Sequence, residues 1–190
     1  MKERPILFNG EMVRAILDGR KTQTRRVVKP PKKFSECSHC DPFAMPPAVW
    51  WWDGEYKTVG VRQDGPFGVP GDRLYVREKW FSPMKPRNDC LGYAADDDYP
   101  HGRAYRVRPS IHMPKEHSRL LLEITGVRVE RLLDIGEEDA KAEGFPFFKD
   151  GLGSPRVDYR RLWESINGPG SWAANPWVWV VEFKKVEVER

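Results

Sequence analysis

Residues 120–129, LLLEITGVRV, decide the fold that this sequence predicts. Every second residue from 120 to 124 is apolar, so these side chains share one face of a strand. Val127 and Val129 have the opposite parity, and the change falls at Thr125-Gly126. Because glycine inside a strand is typical of a β-bulge or a tight bend, the stretch predicts a long strand that bends at this point.

Other stretches supply the neighbours of this strand. Residues 177–181, WVWVV, are apolar on both parities, which predicts a central strand with both faces covered. Residues 73–80, RLYVREKW, alternate and place Glu78 on the same face as apolar residues. A carboxylate there is costly unless it is paired or lines a pocket, and both alternatives remain open. Shorter strands are predicted at residues 5–8 and 103–107.

Three helices are predicted from capping residues and apolar spacing. Asn9 caps a first helix, and Gly19 ends it. Residues 136–144, GEEDAKAEG, carry acids in the first turn and a glycine at the end, which is typical of a short helix. Ser154-Pro155 begins a third helix. The apolar stripe of the first helix consists of Met12, Val13, Ile16 and Leu17.

Several bent strands with few helices indicate an α+β fold built on a small, partly open β-barrel with flanking helices. We expect one domain over residues 1–190, with proline-rich insertions at about 29–70 and 81–118. The first insertion holds seven prolines and little periodicity, which predicts a long, ordered insertion or loop. Its run Trp50, Trp51 and Trp52 either stacks on nucleic-acid bases or packs beneath the loop, and packing is the commoner role of aromatic clusters.

The distribution of charge favours an anionic partner. The 190 residues carry a net charge of only +4, yet residues 20–33 hold seven Lys or Arg and no acid. Such a block favours nucleic acid as partner, although a solvated basic face would look the same. The N-terminus lacks the apolar core of a signal peptide, and no apolar run approaches the roughly 20 residues that span a membrane. We therefore expect a soluble cytoplasmic protein without a membrane partner.

Four motifs occur in an order that resembles the ASCH domain, a family of PUA-like β-barrels. They are ILDGRKTQTRR at residues 16–26, GDRLYVRE at 71–78, EDAKAEGF at 138–145 and WVWVVEF at 177–183. The longer stretch at residues 108–132 is similar to ASCH proteins of phages and prophages. The resemblance implies a PUA-like barrel whose pocket binds a nucleoside or single-stranded RNA.

The resemblance also implies a set of catalytic residues. A bacterial amidohydrolase of this family removes the acetyl group of N(4)-acetylcytidine with a Lys and a Thr of a G-x-K-x-x-T-x-R motif and a Glu on a later helix. Gly19, Lys21, Thr24 and Arg26 match that motif, and Glu143 matches the helical Glu. Other ASCH members are linked to RNA binding or RNA cleavage. A non-catalytic RNA-binding module and a ribonuclease are therefore the alternatives to an amidohydrolase.

The residue types suit amide hydrolysis. A Thr hydroxyl needs a nearby base, and a Lys serves as that base only when burial or neighbouring cations depress its pKa. Arg20, Arg25 and Arg26 surround Lys21 with positive charge and are candidates for binding substrate or nucleic acid. In the structural alternative, Lys21 and Thr24 only hydrogen-bond the end of the helix. The further candidates for the binding pocket are Glu78, His112 and Arg119.

A metal site has weak support in the sequence. Cys37 and Cys40, in the stretch CSHC, have the spacing of half a zinc site. A closed site needs two more ligands, and no second pair shows ligand spacing. Free thiols and no cofactor are therefore expected. The other candidate ligands are His39, Cys90, His101, His112 and His117.

Overall fold

The computed structural model describes residues 1–29, 42–45, 48–51, 61–84, 89–101, 104–144 and 153–186. This part of the chain has a mixed α+β fold. The strands are β1 (Glu3–Leu7), β2 (Gln23–Val27), β3 (Pro42–Met45), β4 (Ala48–Trp51), β5 (Val61–Asp64), β6 (Arg73–Arg77), β7 (Trp80–Pro83), β8 (Gly92–Tyr93), β9 (Tyr105–Arg108), β10 (Leu121–Arg131) and β11 (Trp177–Val186). The helices are α1 (Gly10–Leu17), α2 (Glu137–Ala142) and α3 (Pro155–Asn167), with short 3₁₀ helices at Ala94–Asp96, Ser110–His112, Lys115–His117 and Leu132–Asp134.

The main sheet has five strands in the order β1-β6-β10-β11-β2. β1 runs parallel to β6, and the other neighbours are antiparallel. The bend predicted in the long strand is confirmed, because the pairing of β10 with β11 shifts between Ile124 and Gly126. β11 lies between two strands and buries residues of both parities, as its apolar run predicts.

No closed barrel is seen among the strands that the structure describes. Among these strands β1 pairs only with β6, and β2 only with β11, so β1 and β2 are the two edges of the main sheet. The described part of the chain therefore consists of a five-stranded sheet, two three-stranded sheets and a few helices. The three-stranded sheets have the orders β3-β4-β5 and β8-β7-β9.

The helix ends follow local rules. The Asn9 side chain accepts a hydrogen bond from the Met12 backbone N–H at 2.8 Å and caps α1, and Ser154 caps α3 in the same way. Gly19 follows α1 with φ +74°, a conformation that favours glycine. Leu17 does not belong to the buried stripe of α1, because 38% of it is exposed at the last turn. No helix in the described ranges is long and apolar enough to cross a bilayer.

The stretch predicted as one strand over residues 73–80 is two strands. β6 ends at Arg77 and belongs to the main sheet, whereas β7 begins at Trp80 in another sheet. Alternation persists across the break because Glu78 and Trp80 are both buried, at 1% and 2% exposure. Alternation of apolar and polar residues indicates which side chains are buried, but it does not indicate which strand pairs with which.

The two predicted insertions contain strands. β3, β4 and β5 pair with one another inside residues 29–70, so of the two predicted alternatives the strands fit an ordered insertion and not a loop throughout. These strands have four residues each, too few for a clear alternation, and prolines flank or begin them. β8 and β9 lie in the second segment. Trp50 and Trp51 lie on β4, but their side chains are outside the described part of the structure. The described residues do not include Trp52, Cys37 or Cys40.

The core packs α1 and α3 against the main sheet. Leu122 on β10 is fully buried and shares one apolar cluster with residues of α1, β6, β11 and α3. Leu122→Ala is expected to lower the free energy of unfolding by about 2–5 kcal/mol, because the cavity it leaves cannot fully collapse.

Leu17→Ala is the control, since it removes the same atoms from an exposed position and should cost less than about 1 kcal/mol. Urea denaturation of both variants measures the difference. Equal losses would contradict this assignment of the core.

Candidate functional site

The segment between α1 and β2 brings Lys21 to the end of α2. The backbone N–H groups of Arg20 and Lys21 both donate to the Ala15 carbonyl, at 2.8 and 3.0 Å. Lys21 then pairs with Glu143 in an isolated antiparallel bridge, and the Thr22 N–H donates to the Ala142 carbonyl at 2.9 Å. The backbone therefore fixes where the side chain of Lys21 begins.

The Lys21 ammonium is buried and fully hydrogen-bonded. Its Nζ donates to the Gln23 carbonyl at 2.8 Å, to the Glu143 carbonyl at 3.0 Å and to Glu143 Oε2 at 2.8 Å. An ammonium has three donors, so all three are used. Burial lowers the pKa of Lys21 from the usual 10.5, and the Glu143 carboxylate opposes this shift.

The other oxygen of Glu143 belongs to a wider ion network. Arg25 NH1 donates to Glu143 Oε1 at 3.2 Å, and Arg25 NH2 donates to Glu130 at 2.6 Å and to Asp139 at 3.0 Å. The Arg25 side chain has no exposed surface. Three carboxylates thus compensate one buried guanidinium, and Arg25 fixes the orientation of the Glu143 carboxylate.

A cavity of about 600 Å³ lies between the two edge strands of the main sheet, and α3 forms another wall. Thr24 and Glu143 both line it, whereas Lys21 lies behind Glu143. The Thr24 hydroxyl is buried and has no hydrogen-bond partner among the described residues. The lining residues are Pro5, Ile6, Leu7, Phe8, Asn9, Met12, Thr24, Arg25, Arg26, Val27, Phe67, Ser110, Glu143, Tyr159, Leu162, Trp163, Ile166 and Asn167.

Aromatic side chains form much of the apolar wall. Tyr159 and Trp163 lie on the buried face of α3, with ring centroids 6.2 Å apart. Burial, reinforced by the charge of Glu143, raises the pKa of Tyr159 well above 10. The indole N–H of Trp163 is buried without a partner in the described part of the chain. Flat rings beside unsatisfied polar atoms suit a small planar ligand that carries hydrogen-bonding groups.

Arg20 and Arg26 occupy different positions. Arg20 donates to the Gly144 carbonyl at 2.7 Å and to Asp18 at 2.7 Å, so it ties the end of α1 to the end of α2. Arg26 lines the cavity and donates to the Leu7 carbonyl at 2.9 Å, which links the two edge strands. Arg26 is therefore the motif arginine best placed to meet a ligand.

Glu78 and Arg119 form a separate ion pair. Arg119 donates to both oxygens of Glu78, at 2.9 and 3.1 Å, and its guanidinium lies 4.1 Å from the centre of the Tyr93 ring. Burial raises the pKa of Glu78, and Arg119 opposes the shift. Neither residue lines the cavity, so the pairing alternative describes Glu78. His112 is exposed in the turn that begins with Ser110, next to the cavity wall.

The described residues contain no cluster of three His, Cys, Asp or Glu side chains that could share a metal ion. Cys90 is a free thiol. Cys37 and Cys40, the predicted half of a zinc site, lie outside the described residues.

The sequence missed the aromatic wall of the cavity as a functional feature. Tyr159 and Trp163 fall on the apolar stripe of a helix, which predicts core. Their polar tips were the available signal, because a buried Tyr or Trp needs a hydrogen-bond partner. Phe8 and Asn9, between β1 and α1, gave no such signal.

Comparison with known proteins gives little further information. No family model matches the chain, and no curated protein matches it. A solved structure that is similar to it is protein EF3133 from Enterococcus faecalis V583, of the DUF984 family, with 11% sequence identity and a TM-score of 0.43. The alignment covers 100% of this chain and 82% of that protein. A similarity of this size does not indicate what the site binds or which reaction it catalyses.

Gly144 should be essential for the position of Lys21. Its φ is +80°, and an added Cβ would lie 2.4 Å from the Lys21 Cβ and 2.9 Å from the Ala15 Cβ. Gly144→Ala is therefore expected to destabilise the fold through both backbone strain and steric overlap, by more than the roughly 1–2 kcal/mol of a left-handed residue alone.

Gly19→Ala is the matched control, because Gly19 has φ +74° but no atom of the described residues lies within 4 Å of the added atom. Thermal or urea unfolding compares the two variants. If Gly144→Ala cost no more than Gly19→Ala, the tight contact between residues 21 and 144 would be refuted.

Proposed function

We propose that this protein is an ASCH-type protein with a PUA-like, partly open barrel, and that its cavity binds a nucleoside, free or within RNA. The four ordered motifs support the family. The observation that carries the functional proposal is the meeting of motif residues at one place. Thr24 and Glu143 line one cavity, and Lys21 contacts Glu143 from behind.

The cavity suits a nucleobase by size and chemistry. Its volume of about 600 Å³ falls within the usual range of small-molecule pockets. Tyr159 and Trp163 offer aromatic surface for a planar ring, and the Thr24 hydroxyl and the Trp163 N–H need hydrogen-bond partners that a base can supply.

The activity we propose is hydrolysis of an acylated nucleobase such as N(4)-acetylcytidine. The Thr24 oxygen attacks the acyl carbon, and its proton passes to neutral Lys21. For this step the Lys21 amine must turn from Glu143 toward Thr24, because the two side chains are not hydrogen-bonded in the described structure. The C–N bond then breaks, and Glu143 gives a proton to the departing amino group. Water hydrolyses the resulting Thr24 ester, which releases acetate and restores the hydroxyl.

The buried pair explains how base and acid arise together. Lys21 Nζ lies 2.8 Å from Glu143 Oε2, so one proton transfer converts the ion pair into a neutral amine and a carboxylic acid. Burial disfavours the Lys21 ammonium and so favours its neutral amine. The lowered pKa of Lys21 is consistent with this role.

A non-catalytic binding module is the alternative, and one observation favours it. The Lys21 ammonium already makes three hydrogen bonds and has no exposed side-chain surface. If Lys21 keeps its proton, the ion pair only supports the cavity wall, and a nucleoside binds there without being hydrolysed.

The decisive test is release of cytidine from N(4)-acetylcytidine, followed by chromatography. Thr24→Val keeps the shape of the side chain but removes the hydroxyl, and it should lower kcat/KM at least about a hundredfold. Thr24→Ser, which retains the hydroxyl, is the control and should keep more activity than Thr24→Val. No release by the unmodified protein, or equal rates for Thr24→Val, would refute the proposed hydrolysis and leave the binding module and the ribonuclease as alternatives.

The rate of hydrolysis should depend on pH in a bell-shaped way, because the pair must hold one proton. Above the pKa of Lys21 that proton is lost and no acid remains. Since burial lowers this pKa, the high-pH limb of kcat/KM should have its midpoint below 10.5. Measurement against the spontaneous rate at each pH checks this, and a rate still rising at pH 10.5 would contradict it.

A further inference from the structure

Resting on the proposed function, we propose that the base in the cavity belongs to a single-stranded RNA, and that β9 and the turn after it bind the adjoining phosphates. The segment leads directly to the cavity. Ser110 lines the cavity and begins the 3₁₀ helix that follows β9. Ser110 follows Arg106 by four positions, which span at most about 14 Å when extended.

The charge of this segment is uniformly positive. Residues 105–115 contain Arg106, Arg108 and Lys115 and no Asp or Glu, although Lys115 is paired with Glu3 and is not offered to a phosphate. Arg106 is exposed and has no ion-pair or hydrogen-bond partner within the described ranges. Arg108 lies two residues on, so it shares a face of β9 with Arg106. Its Nε donates to Ser82 Oγ at 3.0 Å, and its other nitrogens have no partner among the described residues. Both guanidiniums can therefore donate to phosphate.

The segment is held in place before any ligand binds. Arg77 donates to the Ile111 carbonyl and, at 2.8 Å, to the Met113 carbonyl. β9 is also paired with β7 along its length. A surface that is already ordered loses little entropy on binding, which favours affinity.

Exposed apolar side chains alternate with the arginines. Val107 is 48% exposed and Ile111 is 58% exposed. Basic groups interleaved with apolar side chains suit single strands, in which phosphates and unstacked bases are both accessible. A base can enter the cavity only when it leaves its stack, which also favours a single strand over a duplex.

The lining of the cavity itself carries a cation as well. Arg26 lines the cavity, and among the residues described it forms no close ion pair with a carboxylate, although the charge of Glu143 acts on it. A nucleotide whose base fills the cavity would therefore meet the charge of Arg26 in addition to that of β9. A free, uncharged nucleoside would use neither Arg26 nor Arg106 for charge compensation.

The test compares two probes, free cytidine and a short oligoribonucleotide with one cytidine among uridines. At about 50 mM salt the oligonucleotide should bind at least about tenfold more tightly, and two phosphate contacts should give a log–log salt slope near −1.4. Arg106→Gln should lower the ratio of the two affinities toward one. Lys185→Gln, which removes an exposed charge from β11, should keep the ratio.

Each result of these binding measurements either supports or refutes the phosphate-binding surface on β9. A ratio near one for the unmodified protein, or a ratio that Arg106→Gln leaves intact, overturns it. Cytidine binding with a ratio near one would spare the proposed function and refute only the phosphate surface. Oligonucleotide binding that depends on Arg106, without cytidine binding, would support the surface and refute the nucleoside cavity. Because Arg106 is exposed and unpaired in the described structure, its replacement should not impair folding.

Discussion

The buried contact between Lys21 and Glu143 is the constraint on which the rest of the site depends. It joins residues 122 positions apart, at the start of β2 and the end of α2. A buried ammonium is tolerable only when it is paired and hydrogen-bonded, so both segments must meet in one arrangement. Gly144 permits that arrangement, because a side chain there would overlap Lys21. Thr24 and Arg25 take their positions from the same strand.

The cavity follows from this arrangement. β1 and β2 are the edges of the main sheet, and the Arg26 guanidinium joins them through the Leu7 carbonyl. Their side chains and those of α3 leave a space into which Glu143 projects with its charge already balanced by Lys21 and Arg25. The protein thus places a polar group with a fixed orientation beside apolar rings. This combination can discriminate among planar ligands by both shape and hydrogen bonding.

Local rules predicted much of the fold from the sequence. The bulge at Gly126 and the caps at Asn9 and Ser154 depend on residues close in the chain, and all three were found. The break after Arg77 and the strands within residues 42–64 were not predicted. A short apolar pattern in the sequence does not indicate which strands pair with each other. The site itself was less accessible. The basic block suggested a surface, but Arg25 is buried because Glu130, Asp139 and Glu143 arrive from other elements. Only the family resemblance connected Lys21 with Glu143.

A double-mutant cycle on the buried pair tests this account most directly. The free energy of unfolding would be measured for the unmodified protein, Lys21→Met, Glu143→Gln and the double variant. Each single change leaves a buried polar group without its partner, so we predict that the double variant is less destabilised than the sum of the single losses, by about 1–3 kcal/mol. Additive losses would show that Lys21 and Glu143 do not depend on each other, and would contradict the account.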